Sequence, residues 1–227
     1  MHILSIGKVI HRTTLNIDAI AISELTPDFN ITVYDYIIIS GGDGSIRRVL
    51  KILHKHAHLP PFILNPTGSF NVIAKLHKVP KLEEVLAQLS LGEYPPTKMQ
   101  NIYKLNEEVF LFSAGNMGDL QHIFLSETLR FGILKNGIAK YILSALFLLP
   151  VHLLMTPFML LSKQRFFIFT PLSMIKKFGS FYGKVEEMNI DLKNEHNFIE
   201  LDGDVVIIES SKLTINYLMT IQVISKK

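Results

Sequence analysis

The feature that most constrains the fold is residues 34–50, YDYIIISGGDGSIRRVL, in which three glycines separate an apolar run from a helical pattern. The β-branched residues 37–39 are typical of a strand buried on both faces, as in a parallel sheet covered by helices. From Ser45 onward, apolar residues recur at helical spacing. The glycines therefore lie at a predicted strand-to-helix turn.

This glycine turn has two interpretations. Gly41, Gly42 and Gly44 can serve a purely structural role, by supplying positive φ angles and close packing. Alternatively, their bare N–H groups and the positive end of the helix dipole form a cradle for a phosphate. Asp43 suggests Mg²⁺ in that case, because a carboxylate repels a phosphate unless a divalent cation lies between them. As a turn acid at a helix start, Asp43 is expected to have little packing to lose.

Two common nucleotide-binding motifs do not fit the turn. A P-loop requires Lys and then Ser or Thr after its last glycine, whereas Ser45 and Ile46 follow Gly44. A dinucleotide-binding fingerprint requires Gly or Ala at the position that Arg47 occupies. The turn therefore belongs to neither class.

Four blocks of the sequence resemble those of the diacylglycerol, sphingosine and ceramide kinases, a family of lipid kinases. GGDGS (41–45) resembles the GGDGT/S loop that these enzymes share with the NAD kinases. NPTGSFNVIAKL (65–76) resembles their second block, and the NAD kinases carry a different one. FGILKNGIAKYILSAL (131–146) and IELDGDVV (199–206) resemble two later segments. The four blocks occur in the order of the family.

The resemblance implies a set of site residues. Asp204 follows the D-G pair, where the family has its proposed general base, and is predicted to be catalytic together with Asp43. Asp43 is also the predicted metal ligand. The predicted nucleotide-binding residues are Gly41, Gly42, Gly44, Ser45, Thr67, Gly68, Ser69 and Asn71.

Ordinary turn chemistry offers a structural explanation for several of these residues. Thr, Ser and Asn are common in turns and helix caps, and a D-G pair between apolar runs is a common hairpin turn.

The sequence departs from the family pattern in two ways. Asp204 stands where Glu is usual, and the N terminus is expected to be truncated relative to the family. They motivate the alternative of an inactive nucleotide- or lipid-binding member.

The sequence pattern changes near Pro95 and Pro96. Before them strands alternate with helices, which predicts a parallel sheet; after them short strands dominate, which predicts an antiparallel sandwich. The predicted fold class is an α/β N-terminal domain with a parallel sheet plus an all-β, sandwich-like C-terminal domain with a helical insertion. We expect a nucleotide-binding domain at 1–96 and a β-rich lipid-substrate domain at 97–227, which the resemblance implies meet at a nucleotide cleft.

One apolar segment, 141–162, has no Asp, Glu, Lys or Arg and is long enough to span a bilayer. Pro150 and Pro157 disfavour a continuous helix there. A spanning helix, a membrane-surface element and ordinary buried core all remain open, and the resemblance favours the surface element.

Composition limits the possible functions further. The chain of 227 residues is long enough to bury a core, and it has no cysteine, which excludes disulfides and thiolate sites. A net charge of +3 is too small to argue for nucleic acid. The start of the chain does not resemble a secretion signal, so we expect a cytoplasmic location with peripheral attachment to the membrane.

These observations and the resemblance predict an ATP- and Mg²⁺-dependent lipid kinase. It would transfer the γ-phosphoryl group to the hydroxyl of a membrane lipid, with diacylglycerol as the default substrate. The expected partners are ATP, the lipid and the membrane surface, but not nucleic acid. An NAD kinase and a catalytically inactive family member are the alternatives.

Overall fold

The computed structural model describes residues 1–11, 14–68, 71–116, 166–170, 181–182 and 187–226. The chain divides into two compact units, the first formed by residues 1–112 and 215–227 and the second by residues 113–214. The predicted boundary after residue 96 differs from this division. The reason is that strands on both sides of the second unit hydrogen-bond into the sheet of the first.

The secondary structure of the described residues is as follows. The strands are β1 (His2–Ile6), β2 (Asn16–Ile20), β3 (Tyr36–Gly41), β4 (Phe62–Pro66), β5 (Thr97–Leu105), β6 (Glu108–Phe110), β7 (Ser113–Asn116), β8 (Phe167–Phe169), β9 (Phe181–Tyr182), β10 (Glu187–Asp191), β11 (His196–Leu201), β12 (Asp204–Glu209) and β13 (Lys212–Ile224). The α-helices are α1 (Asp43–Leu53), α2 (Val72–Leu76) and α3 (Leu82–Ser90).

The first unit is built on a sheet in which β2, β1, β3 and β4 lie side by side and parallel. The side chains of Ile37, Ile38 and Ile39 in β3 are 0%, 0% and 1% exposed, as expected for a strand covered on both faces. Val85 and Leu89 of α3 pack in one core cluster with residues of this sheet. The predicted α/β architecture is therefore confirmed.

Helix α1 begins two residues before the predicted start at Ser45. Gly42 is its N-cap, because the N–H groups of Ser45 and Ile46 both donate to the Gly42 carbonyl, at 3.0 and 3.2 Å. Asp43 and Gly44 consequently lie inside the first turn of the helix. The glycine turn between β3 and α1 is shorter than the sequence pattern suggests.

Strand β13 follows the second unit in sequence but joins the first sheet. It lies between β4 and β5, parallel to β4 through the pair Val223 and Phe62 and antiparallel to β5. The end of the chain thus returns to the unit in which it started. A period-two pattern predicts a strand, but it does not identify the neighbouring strand.

The second unit contains a separate sheet in the order β12, β11, β7, β8 and β9. Its neighbours are antiparallel, except that β8 and β9 are parallel. The prediction of a β-rich C-terminal part with its own antiparallel sheet is confirmed.

The predicted helical insertion, including the apolar segment 141–162, lies outside the described residues. No helix within the described ranges has the length and apolar character needed to cross a membrane.

Candidate functional site

The two predicted nucleotide blocks come together because β3 and β4 end side by side. The register of these parallel strands runs to the pair Gly41 and Pro66, their last residues. Just beyond, the Thr67 N–H donates to the Gly41 carbonyl at 3.1 Å. Ligands of open α/β sheets bind at the carboxyl ends of strands, and both glycine turns lie at this edge.

The two turns touch each other at Gly42 and Gly68. A Cβ atom on Gly68 would lie 2.6 Å from the Gly42 Cα, and one on Gly42 would lie 3.2 Å from the Gly68 Cα. The φ angle of Gly42 is −99°, and the glycines with positive φ in the described chain are Gly7, Gly92 and Gly203. Gly42 is therefore needed for the close approach of two backbones, and not for a left-handed conformation.

Gly41 lacks a side chain for a different reason. An ideal Cβ on Gly41 would stand 2.3 Å from the Ser45 Oγ, so the hydroxymethyl group of Ser45 occupies the space that a side chain would need. Ser45 thus folds back over the end of β3. Its hydroxyl is placed beside the glycine turn, at the positive end of α1.

Asp43 is buried, with 7% of its surface exposed. Its carboxylate accepts hydrogen bonds from the backbone N–H groups of Val72, at 2.7 Å, and Ile73, at 3.0 Å, which lie in the first turn of α2. Burial raises the pKa of Asp43, and the two N–H groups act in the opposite direction. The expectation that this acid has little packing to lose is therefore wrong.

These contacts test whether Asp43 fits the role of a magnesium ligand. One oxygen of the carboxylate bonds to Val72 and the other to Ile73, so both face α2. Over the described part of the chain, no group of three or more His, Asp or Glu side chains is arranged to hold a metal ion. Each carboxylate oxygen of Asp43 therefore already accepts one backbone N–H of α2, and its role as a metal ligand stays a prediction.

The second turn is organised by Asn71, which precedes α2. Its backbone is left-handed, with φ 49° and ψ 53°, and its side-chain Nδ2 donates to the Gly68 carbonyl at 2.6 Å. The Asn71 Oδ1 is buried and has no hydrogen-bond partner among the described residues. Ser69, which was predicted to bind nucleotide, lies outside the described residues.

Asp204 lies in the second unit, whereas the glycine turns belong to the first. It is the first residue of β12 and pairs with Leu201 of β11. Asp202 and Gly203, with φ angles of 53° and 89°, form the two-residue turn between them. The D-G pair is therefore a hairpin turn with positive φ at both positions, as turn chemistry predicts. The side chain of Asp204 is half-buried.

A buried polar network supports this hairpin, and the sequence analysis missed two of its members. Glu200 accepts hydrogen bonds from the Ser113 hydroxyl, at 3.0 Å, and from the Gly203 N–H. Asp202 accepts the Ser113 N–H at 3.0 Å. Ser113, Glu200 and Asp202 are 5%, 9% and 5% exposed. A charged residue inside the apolar run FIEL was the available signal for Glu200.

Comparison with known proteins bears on the segment that contains the two glycine turns. Residues 9–102 match the family described as diacylglycerol kinase catalytic domain. A Streptococcus pneumoniae protein named "Putative lipid kinase" is 26% identical over 108 residues, which cover 46% of this chain and 36% of that protein. The chain thus matches little more than a third of the length of this curated relative.

Two solved structures share the fold over nearly the whole chain. A diacylglycerol kinase from Bacillus anthracis is 12% identical with a TM-score of 0.53, over 98% of this chain and 96% of the other. A second structure from that organism, described as a "putative diacylglycerol kinase", is 13% identical with a TM-score of 0.56. The match covers 99% of this chain and 96% of the other. At these identities the likeness concerns the fold alone.

The family match and the curated relative support the prediction of a kinase-like phosphotransferase. Both glycine turns and the carboxylate that links them lie inside the matched segment. The resemblance to the lipid kinases is confirmed in this part of the chain, because residues 9–102 match the family described as diacylglycerol kinase catalytic domain.

Proposed function

We propose that the protein is an ATP-dependent lipid kinase that transfers the γ-phosphoryl group to the hydroxyl of a membrane lipid, with diacylglycerol as the default substrate. The observation that carries the proposal is the contact of two glycine turns at the carboxyl edge of the sheet, inside a segment that matches a diacylglycerol kinase catalytic domain. The assignment of the nucleotide to residues 1–96 and of the lipid to residues 97–227 is part of this proposal.

In this proposal the glycine turns hold the phosphates of ATP. The N–H groups of Gly41, Gly42 and Gly44, together with the positive end of α1, bind phosphate oxygens. The Ser45 hydroxyl is a further donor at the same turn. Phosphoryl transfer depends mostly on such positioning and on electrostatic stabilisation of the transferred group, so backbone amides suit the task.

The second turn is proposed to contact the same nucleotide from its other side. Its residues include Gly68 and three with short polar side chains, Thr67, Ser69 and Asn71. Because Gly42 and Gly68 are in contact, a phosphate bound at the first turn lies within reach of the second.

Asp204 is the proposed general base. Its carboxylate takes the proton of the lipid hydroxyl as the hydroxyl oxygen bonds to the γ-phosphorus, and the bond from that phosphorus to the bridging oxygen of ADP breaks. The network of Ser113, Glu200 and Asp202 holds the hairpin from which Asp204 projects. A firmly held turn suits a base that must stay within hydrogen-bond reach of its substrate.

Mg²⁺ dependence remains a prediction. Kinases use divalent cations to neutralise the phosphate charge, and that general need is the reason to expect it. Both carboxylate oxygens of Asp43 already accept backbone N–H groups of α2. No step of the transfer is therefore assigned to a metal ion.

The proposal is tested with radiolabelled ATP and four acceptors: vesicles that contain diacylglycerol, vesicles with ceramide, vesicles with sphingosine, and soluble NAD. We expect label in the diacylglycerol product, and none with vesicles that lack an acceptor lipid. Transfer to NAD would show that the lipid assignment is wrong. Binding of ATP without transfer to any acceptor would identify an inactive family member.

Membrane attachment is a separate expectation that rests on the apolar segment 141–162 and its flanking basic residues. If the segment lies at the surface, the protein should sediment with anionic vesicles and be released by high salt or alkaline carbonate, because the attachment is partly electrostatic. Neutral vesicles are the control and should bind less protein. Resistance to both extractions would contradict surface attachment and indicate a spanning segment.

A further inference from the structure

We infer that Asp43 is a positioning residue that joins the two glycine turns, and that it is not a metal ligand. The residue lies in the first turn of α1, yet both of its side-chain bonds go to α2, 29 and 30 residues later in the chain. A carboxylate shared in this way connects the start of one phosphate-binding helix to the start of the other.

The two N–H groups that Asp43 accepts need a partner from outside their own helix. The first N–H groups of an α-helix have no intrahelical acceptor, and a buried one without a partner is destabilising. Bonds to an ionised acceptor are stronger than bonds between neutral groups. The carboxylate therefore gives α2 the cap that its N-cap residue, Asn71, does not supply through its side chain.

Helix α2 is too short to hold its position alone. It has five residues, whereas isolated helices shorter than about 12–15 residues are marginal in water. The direction of α2, and with it the second turn, consequently depends on contacts from outside. Asp43 supplies the polar contact, and buried Ile73 and Ala74 supply apolar ones.

A second contact has the same effect. Gly42 and Gly68 approach each other too closely to admit a Cβ on Gly68, and the Thr67 N–H bonds to the Gly41 carbonyl at 3.1 Å. The residue that follows Gly42 is Asp43, so the close backbone contact and the carboxylate bonds act on adjacent residues. Together they make the two turns one rigid unit.

This arrangement also explains how an acid is tolerated among phosphate-binding amides. The charge of Asp43 is balanced by N–H dipoles at the start of α2, a location where negative charge is favourable. A cation between Asp43 and the phosphate is then not required. The inference rests on the proposed function only for the identity of the ligand, since the contacts of Asp43 are independent of ATP.

The first test measures amide hydrogen exchange at Val72 and Ile73 by NMR, in the wild type and in Asp43→Asn. Asn has the shape of Asp, but one of its two polar atoms is a donor, so it can accept only one of the two N–H groups. We expect the protection of these amides to fall by about tenfold or more, while core amides of β3 are unchanged. Asp28→Asn, at an exposed acid of the same unit, is the control and should leave Val72 and Ile73 protected. Unchanged protection in Asp43→Asn would overturn the inference.

The second test measures ATP binding by calorimetry in EDTA, where the two roles predict opposite signs. A positioning role predicts that Asp43→Asn weakens metal-free ATP binding by about 10- to 100-fold, as for the loss of a bond to a charged group. A metal-ligand role predicts that it strengthens metal-free binding, because a repulsive carboxylate is removed. Stronger or unchanged binding by the folded variant would overturn the inference.

A third measurement decides the role of Asp43 even if the Asp43→Asn variant does not fold or the wild type does not bind ATP. Mg²⁺ is added to the wild type without nucleotide, and exchange at Val72 and Ile73 is followed. Positioning predicts no change, whereas a metal that captured the Asp43 carboxylate would release both amides and lower their protection. Absence of ATP binding by the wild type would contradict the proposed function, while the exchange results would still decide the role of Asp43.

Discussion

Replacing Asp204 with Asn is expected to lower the turnover of the proposed lipid kinase reaction by a factor on the order of 10² to 10⁴, the usual contribution of a general base. ATP affinity should change little, because the base acts on the lipid hydroxyl and not on the nucleotide. The measurement is kcat and KM for both substrates in the vesicle assay. A fall in kcat without a change in KM for ATP identifies an interaction made in the transition state.

Asp204→Glu tests whether the length of the side chain limits the reaction, because the carboxylate itself is kept. Glu is the residue that the family usually has here, and it keeps the carboxylate while adding one methylene, so we expect activity to be retained or raised. Glu209→Gln is a matched control, because it neutralises an exposed acid on the same strand, β12. Full activity of Asp204→Asn would exclude Asp204 as the base.

The second large effect is expected for Gly68→Ala. The new Cβ would lie 2.6 Å from the Gly42 Cα and 2.9 Å from the Asn71 Oδ1, so a backbone atom stands in its place and one of the two turns must move. Such overpacking typically lowers the free energy of unfolding by about 1–3 kcal/mol. ATP affinity should fall as well, because the two turns that are proposed to bind its phosphates are forced apart. Urea unfolding and ATP titration measure the two effects.

Gly92→Ala provides the control for Gly68→Ala. Gly92 has a φ of +76° and no atom within 4 Å of an added Cβ, so the change introduces backbone strain without a steric clash. It should lower the free energy of unfolding by about 1–2 kcal/mol and leave ATP affinity unchanged. If Gly68→Ala had the same profile as Gly92→Ala, the contact between the turns would have no role in nucleotide binding.

Local patterns were sufficient for several elements of both units. The β-branched run before Gly41 predicted a buried strand, and the helical spacing after it predicted the start of α1 to within two residues. The D-G pair predicted a hairpin turn, which Asp202 and Gly203 form. These features depend on neighbours in sequence, through side-chain periodicity and allowed φ angles, so the sequence contains the information directly.

Other properties of the site depend on residues that are far apart in the chain. The burial of Asp43 and its bonds to Val72 and Ile73 join positions about thirty residues apart, and a turn acid in isolation looks exposed. The sequence likewise gives no sign that Gly42 and Gly68 contact each other, and this contact is the reason that both positions are glycine. Motif matching found the two turns but not the bonds that connect them.

The C-terminal strand shows the same division between local and long-range information. Polar and apolar residues largely alternate over residues 212–224, as is typical of a strand, and these residues form β13. Its place between β4 and β5 depends on pairing with strands that are distant in sequence, and alternation has the same form whatever the neighbour. The sequence therefore determines the conformation of each segment and the chemistry it carries. Strand order and the partners of buried polar groups arise from packing, because they are set by contacts between residues that no local pattern relates.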